Sequence, residues 1–107
     1  LEKYMILEIA HFRIQSSADN PGFEAAFAIA QIILASMPGY LGHELHRCIE
    51  DPCEYRLLVH WNTVQDHIKG FRESARFAEW RALLQPFFAA PPSAAHYEAR
   101  FTSHPSC

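Results

Sequence analysis

From Met5 to Gln15 the apolar residues occupy both alternating rows. Ile6, Ala10, Phe12 and Ile14 share one row with Glu8, while Leu7 and Ile9 share the other with His11 and Arg13. That is the pattern of a strand covered on both faces. The period changes after a polar connection, Ser16 to Asn20. Pro21 to Met37 carries Phe23, Phe27, Ala30, Leu34 and Met37 at three- and four-residue intervals, with Ile29, Ile32 and Ile33 widening the stripe, and this predicts an amphipathic helix. Asn20 is the expected cap, Pro21 fits the first helical position because its missing N–H costs nothing there, and Pro38-Gly39 ends the helix. Alternation resumes over Tyr40 to Glu50, with Leu41, His43, Leu45, Arg47 and Ile49 set against Tyr40, Gly42, Glu44, His46 and Cys48. It continues over Glu54 to Asn62. The intervening Glu50-Asp51-Pro52-Cys53 is turn chemistry, so these two strands should pair as an antiparallel hairpin.

The remainder of the chain is organised around Leu57 to Phe88. Leu57 to Trp61 reads as an apolar strand that ends at a tryptophan and passes into a helix capped by Thr63, with Asp66 in capping-box position. This helix runs to about Ser74 with Val64, His67, Ile68 and Phe71 on one side, and a second follows from Arg76 to Gln85 with Phe77, Trp80, Leu83 and Leu84 turned inward. Pro86, Pro91 and Pro92 bound a stiff connection to a last strand, Ala95 to Thr102, where Tyr97, Ala99 and Phe101 alternate with His96, Glu98 and Arg100.

The order strand, helix, strand, strand, split helix, strand predicts an α+β, ferredoxin-like βαββαβ fold. Right-handed crossovers place the helices on one face of a four-stranded antiparallel sheet. The other sheet face still carries apolar side chains, and pairing of two sheets back to back in a homodimer is the expected way to cover it.

Composition narrows the function. The chain has 107 residues, which suits one domain, with a core at about 5–102 and a disordered tail at 103–107. Its formal charge of −3 and nine Lys plus Arg provide no basic stripe, which argues against nucleic acid. The helix at 21–37 is too short and interrupted to span a bilayer, so no membrane partner is expected. Three cysteines, Cys48, Cys53 and Cys107, make no disulfide framework, and with no signal-peptide pattern a reducing cytoplasm fits. Leu1 to Tyr4 precede the strand pattern that starts at Met5 and are not assigned to any element. Eight Phe, four Tyr and two Trp are more aromatic surface than a small two-layer domain hides, so part of it should line a pocket or a subunit contact.

Leu58-Val59-His60-Trp61, Asp66-His67, Phe71-Arg72, Ser74, Phe77, Trp80, Pro91-Pro92 and His96-Tyr97-Glu98 resemble the antibiotic biosynthesis monooxygenase family of dimeric α/β barrels, over about residues 5 to 102. The resemblance implies a cofactor-independent monooxygenase. A quinol, anthrone or similar aromatic would react with dioxygen in a pocket between sheet and helices, without metal or flavin. Such a pocket needs aromatic walls and a few polar groups that stabilise an anion. Trp61, Phe71, Phe77 and Trp80 are the candidate walls, with Arg81 at the mouth. Asn62 is a candidate hydrogen-bond donor to a keto or phenolate oxygen, and His67 and Tyr97 are candidate proton carriers.

Each candidate has a plainer role beside it. Trp61 suits a core, Asn62 a helix start, and His67 an apolar helix face; Tyr97 needs a partner for its hydroxyl wherever it is buried. Arg72 and Arg76 read as solvated helix residues. No metal is expected: His43 and His46 are three apart on a strand and point to opposite faces, and His43 with His60 or His11 across strands is geometrically possible but has no acidic or Cys cluster to support it. The haem-degrading branch of the family is disfavoured because the late helix, Phe77-Ala78-Glu79-Trp80-Arg81, has no histidine to ligate iron. A barrel that binds a small hydrophobic molecule without turnover is the alternative, and a pure dimerisation scaffold with a filled interior is a third reading.

Overall fold

The structure is a computed structural model that describes residues 6–103. Its elements are β1 (Ile6–Arg13), α1 (Asn20–Ala35), β2 (Tyr40–Arg47), β3 (Glu54–Trp61), a π-helical segment (Asp66–Arg72), α2 (Ala75–Leu84) and β4 (Ser93–Tyr97). The strands form one four-stranded sheet in the order β2-β3-β1-β4, with every pairing antiparallel. α1 and α2 lie side by side over the same sheet face. This is the ferredoxin-like α+β arrangement expected from the element order.

The core lies between sheet and helices. Ala10, Phe12, Tyr55, Leu57, Val59 and Trp61 rise from the sheet to meet Phe23, Phe27, Ala30, Leu34, Trp80 and Leu84 from the helices. Rings at one end pack around Phe23, whose centroid is 4.6 Å from that of Tyr55. Rings at the other end pack around Phe71, with Phe77 at 5.3 Å and Trp80 at 5.6 Å, both edge-on, as aromatic quadrupoles favour.

Several boundaries differ from the sequence reading, each for a local reason. Asn20 does not cap α1: it is the helix's first residue, and its side chain donates to Pro52 O at 2.9 Å and to Tyr55 Oη at 2.6 Å. Ile29 and Ile32 are 58% and 68% exposed, so the inward stripe of α1 is narrower than the run of isoleucines suggests. β2 carries an irregularity between Tyr40 and Gly42, which puts Tyr40 opposite Trp61 and His43 opposite Val59. One extra residue in a bulged strand shifts all later side chains by one row, so Tyr40 joins the face of His43.

The helix after Thr63 is wound as a π-helix, with Glu73 N–H reaching Ile68 O at 3.1 Å. Its start is the expected reciprocal box: Asp66 N–H donates to Thr63 Oγ1 and Thr63 N–H to Asp66 Oδ2, both at 3.1 Å. The last strand also comes early, at Ser93–Tyr97 in place of Ala95–Thr102. It pairs with β1 from His11 back to Leu7, and opposite Tyr97 the chain is already near the start of β1. Glu98 to Ser103 therefore continue without regular structure, and Phe101 is 98% exposed. Of the tail expected to be disordered, 103–107, residues 104–107 lie outside the described residues.

Candidate active site

Glu8 stands on the inward row of β1, between Val59 of β3 and His96 of β4, and is buried. A carboxylate in that position costs free energy unless donors reach it. The fully buried Trp61, at the end of β3, supplies one, since its Nε1–H donates to Glu8 Oε1 at 2.8 Å. The capping box at Thr63 then turns the chain back over the sheet and sets His67 above Trp61, the rings stacked at 5.6 Å and 22°. His67 Nε2 lies 3.4 Å from Glu8 Oε2, and His67 Nδ1 lies 2.7 Å from His96 Nε2. Glu8, His67 and His96 thus form a line from the sheet interior to a half-buried position on the edge strand.

Beside this line is a cavity of about 100 Å³, walled by Leu34, Leu57, Val59, Phe71, Phe77 and Trp80 and bordered by Pro92, Ser93 and Ala94. Glu8, His67 and Arg72 are its ionisable lining. Arg72 reaches it because a π-turn brings residues five apart onto one side, so Arg72 shares the face of His67.

Burial raises the Glu8 carboxyl above its ordinary value, against the opposing pull of the Trp61 N–H and the Arg72 charge. Burial also pushes His67 down to about 4, helped by the charges of His96 and Arg72, and lowers His96, helped by Arg72. Both imidazoles are therefore neutral at neutral pH. The arrangement combines a buried base of raised proton affinity, uncharged imidazoles behind it and the exposed Arg72 cation on the cavity lining.

The sequence candidates fall into two groups. His67, Phe71, Phe77 and Trp80 line the cavity, whereas Trp61 is fully buried and holds Glu8 from behind. Asn62 is exposed, with its backbone N–H on Gly39 O at 2.8 Å. Tyr97 is half exposed opposite Leu7, on the sheet face away from the helices. Arg81 borders a separate surface depression with Phe88 and Pro91.

Glu8, His96 and Arg72 were not among the candidates. Glu8 had a legible signal, a single charge on an otherwise apolar row. A wider depression near Asn20, Glu24 and Tyr55 offers no comparable chemistry. Its polar groups already satisfy one another, with Tyr55 Oη donating to Glu24 Oε2 at 2.6 Å and Arg47 pairing with the same oxygen at 3.1 Å. Among the described residues no group of three or more His, Cys, Asp or Glu is placed to hold a metal ion.

Comparison with known proteins gives the chain a family. The family model described as antibiotic biosynthesis monooxygenase matches residues 5–83. The chain belongs to the antibiotic biosynthesis monooxygenase family. A Bordetella bronchiseptica structure assigned to the same family is 41% identical, covering 91% of this chain and 98% of that one with a TM-score of 0.86. The uncharacterised protein YczJ of Bacillus subtilis (strain 168) is 39% identical over 94 residues, 88% of this chain and 98% of YczJ. Two further structures share the fold. The monooxygenase ActVA-Orf6 of Streptomyces coelicolor, solved with nanaomycin D, has a TM-score of 0.81 at 23% identity, covering 97% of this chain and 95% of that one. SnoaB of Streptomyces nogalater, a cofactor-independent oxygenase, has a TM-score of 0.79 at 18% identity, covering 92% and 96%.

Proposed function

We infer that this protein is a cofactor-independent monooxygenase that uses dioxygen to oxidise a small phenolic or quinol-type aromatic, with Glu8 as the base. The observation that carries the reading is a buried carboxylate on the wall of an aromatic-lined cavity, raised in proton affinity by burial and backed by His67. Family membership supports it. Both ring nitrogens of His67 face partners, so the lone pairs open to a guest belong to Glu8. In this reading His67 orients the base and does not itself exchange a proton with the substrate.

The reaction balances with dioxygen alone. Glu8 removes a proton from the substrate, and the Arg72 guanidinium stabilises the resulting anion. The anion passes one electron to O2, and the two radicals combine as a C–O–O− peroxide at a ring carbon that still bears hydrogen. The protonated Glu8 returns its proton to the peroxide. Loss of water then breaks the O–O and C–H bonds, leaving one oxygen in a product carbonyl and the other in water.

The cavity volume favours one ring over three. Pockets for drug-sized ligands hold about 300 Å³ or more, and about 150 Å³ suffices for benzene. At about 100 Å³, the cavity takes a single ring only if its walls give way, and an anthrone would need a much larger rearrangement. In this reading two copies pair through the sheet face that carries Leu7, Ile9 and Leu58, and the protein works in the reducing cytoplasm with Cys48 and Cys53 as free thiols. Among the described residues no helix is long and apolar enough to cross a membrane.

The test is oxygen uptake by metal-free protein with a panel of monocyclic hydroquinones and catechols. Uptake above the autoxidation background, lowered at least tenfold in Glu8→Gln, supports the reading. No uptake with any member, or equal rates for Glu8→Gln and wild type, refutes it.

A further inference from the structure

A carboxyl buried beside an apolar cavity must exchange protons with water by some route, and an aromatic guest would close the cavity to solvent. The chain of imidazoles behind Glu8 offers that route. Its hydrogen-bond options can be enumerated, because each buried polar atom needs a partner. Glu8 Oε1 is occupied by the Trp61 N–H, which leaves Oε2 facing His67 Nε2.

When Glu8 is ionised, Oε2 needs a donor, so His67 carries its proton on Nε2. Its Nδ1 is then an acceptor and draws the Nε2–H of His96, 2.7 Å away. When Glu8 is protonated, its O–H needs an acceptor, and His67 Nε2 is the one within reach. The His67 proton then sits on Nδ1 and donates to His96 Nε2, which moves the His96 proton to its own Nδ1. Both arrangements leave every group in the line satisfied.

We propose that Glu8, His67 and His96 form a two-state proton chain, in which a proton gained by Glu8 flips both imidazoles from Nε2–H to Nδ1–H and exchanges with solvent at His96 Nδ1. Uptake is balanced. A solvent proton bonds to His96 Nδ1, the His96 Nε2 proton passes to His67 Nδ1, and the His67 Nε2 proton passes to Glu8 Oε2. Each ring ends neutral, no electron changes hands, and release is the reverse. The 3.4 Å gap between His67 and Glu8 is long for a hydrogen bond and closes by a few tenths of an ångström at transfer.

The surroundings leave the switch to these groups. β3 contributes the Trp61 N–H, β4 contributes His96, and the π segment contributes His67 and the Arg72 cation. α1 and α2 present Leu34, Phe77 and Trp80 to the cavity. Arg72 favours the ionised carboxylate and disfavours imidazolium on both rings, so it steers the chain between two neutral-ring states and away from a stable cation. His96 is thus a positioning residue that acts on Glu8 through His67.

The proposal relies on the oxygenase reading only for the use to which the proton is put, and its test needs no turnover. Nitrogen shifts of 15N-labelled histidine distinguish the two tautomers from imidazolium, and the infrared band of a buried COOH reports Glu8. In wild-type protein, as the pH falls, His67 and His96 should exchange Nε2–H for Nδ1–H with a single midpoint, shared with the appearance of a carboxyl band that Glu8→Gln lacks. Glu8→Gln keeps its carbonyl on Trp61 and turns its amide N–H to His67, so both rings should hold Nδ1–H throughout the window in which the wild-type rings change tautomer. Separate midpoints, a ring that keeps one tautomer, or imidazolium in that window would overturn the chain. If Glu8→Gln does not fold, the wild-type titration decides alone. A failure in these spectra leaves the oxygen-uptake test standing, and a failure there leaves the spectra standing.

Discussion

Replacing Trp61 by Phe removes the N–H that Glu8 Oε1 accepts at 2.8 Å and keeps a ring in the core. The cost should depend on pH. A hydrogen bond to a charged group contributes about 1.5–3 kcal/mol and one between neutral groups about 0.5–1.5 kcal/mol, so the variant loses roughly 1–2 kcal/mol more when Glu8 is ionised. The smaller ring also leaves a void, but that penalty is the same at every pH and cancels in the comparison. The sign follows from linkage. Glu8 is raised above its ordinary value of 4.5, so its contribution is complete below 4.5 and is lost as pH rises through the folded-state value. Without the indole N–H the folded-state value rises further, by about one unit for each 1.36 kcal/mol. The loss in the variant therefore continues to higher pH. Urea unfolding of both proteins from pH 4.5 to 8.5, followed by circular dichroism, measures the gap. It should widen by about 1–2 kcal/mol towards the alkaline end. A gap that is constant, or widest in acid, would refute the account of a buried carboxylate held by Trp61.

Other substitutions test other parts of the structure. His67, at about 4 in the folded protein against 6.5 ordinarily, contributes stability that is present above 6.5 and lost as pH falls from 6.5 to 4; His67→Gln should flatten urea midpoints in that window. Gly39 has φ +84°, and a Cβ there would lie 2.2 Å from Asp66 Cγ, so Gly39→Ala should cost at least about 2 kcal/mol in chemical unfolding through backbone strain and the broken capping box. Tyr55→Phe removes a hydroxyl that donates to Glu24 and accepts from the buried Asn20, and should cost about 1–3 kcal/mol by the same measurement. Trp80→Ala should cost about 3–5 kcal/mol and enlarge the cavity enough for a one-ring fluorescent probe to bind more tightly than to wild type.

The fold was legible because the signals that fix it are periodic. Phe23, Phe27, Ala30 and Leu34 mark one helix face, and Tyr55, Leu57, Val59 and Trp61 mark one sheet face, whatever lies opposite. The site was legible only where it shared that periodicity: His67, Phe71, Phe77 and Trp80 are on inward rows and were found. Arg72 is exposed, as its sequence position suggests, and its place on the cavity lining escaped because no simple residue pattern announces the π-turn that brings it to the side of His67. His96 escaped because either row of the last strand can face inward. The register with β1 decides, and it puts His96 opposite Glu8 and Tyr97 opposite Leu7. Tyr40 and His43 came to one face through a bulge near Gly42, which simple alternation cannot anticipate.

The most direct test of the central claim follows the oxygen atoms. Metal-free protein would be incubated with a monocyclic quinol substrate under 18O2 in ordinary water, and the product quenched quickly and weighed by mass spectrometry. The account predicts one 18O atom in the product carbonyl, with the yield of labelled product at least tenfold lower for Glu8→Gln. Product without label, or labelled product formed equally by Glu8→Gln, would contradict it.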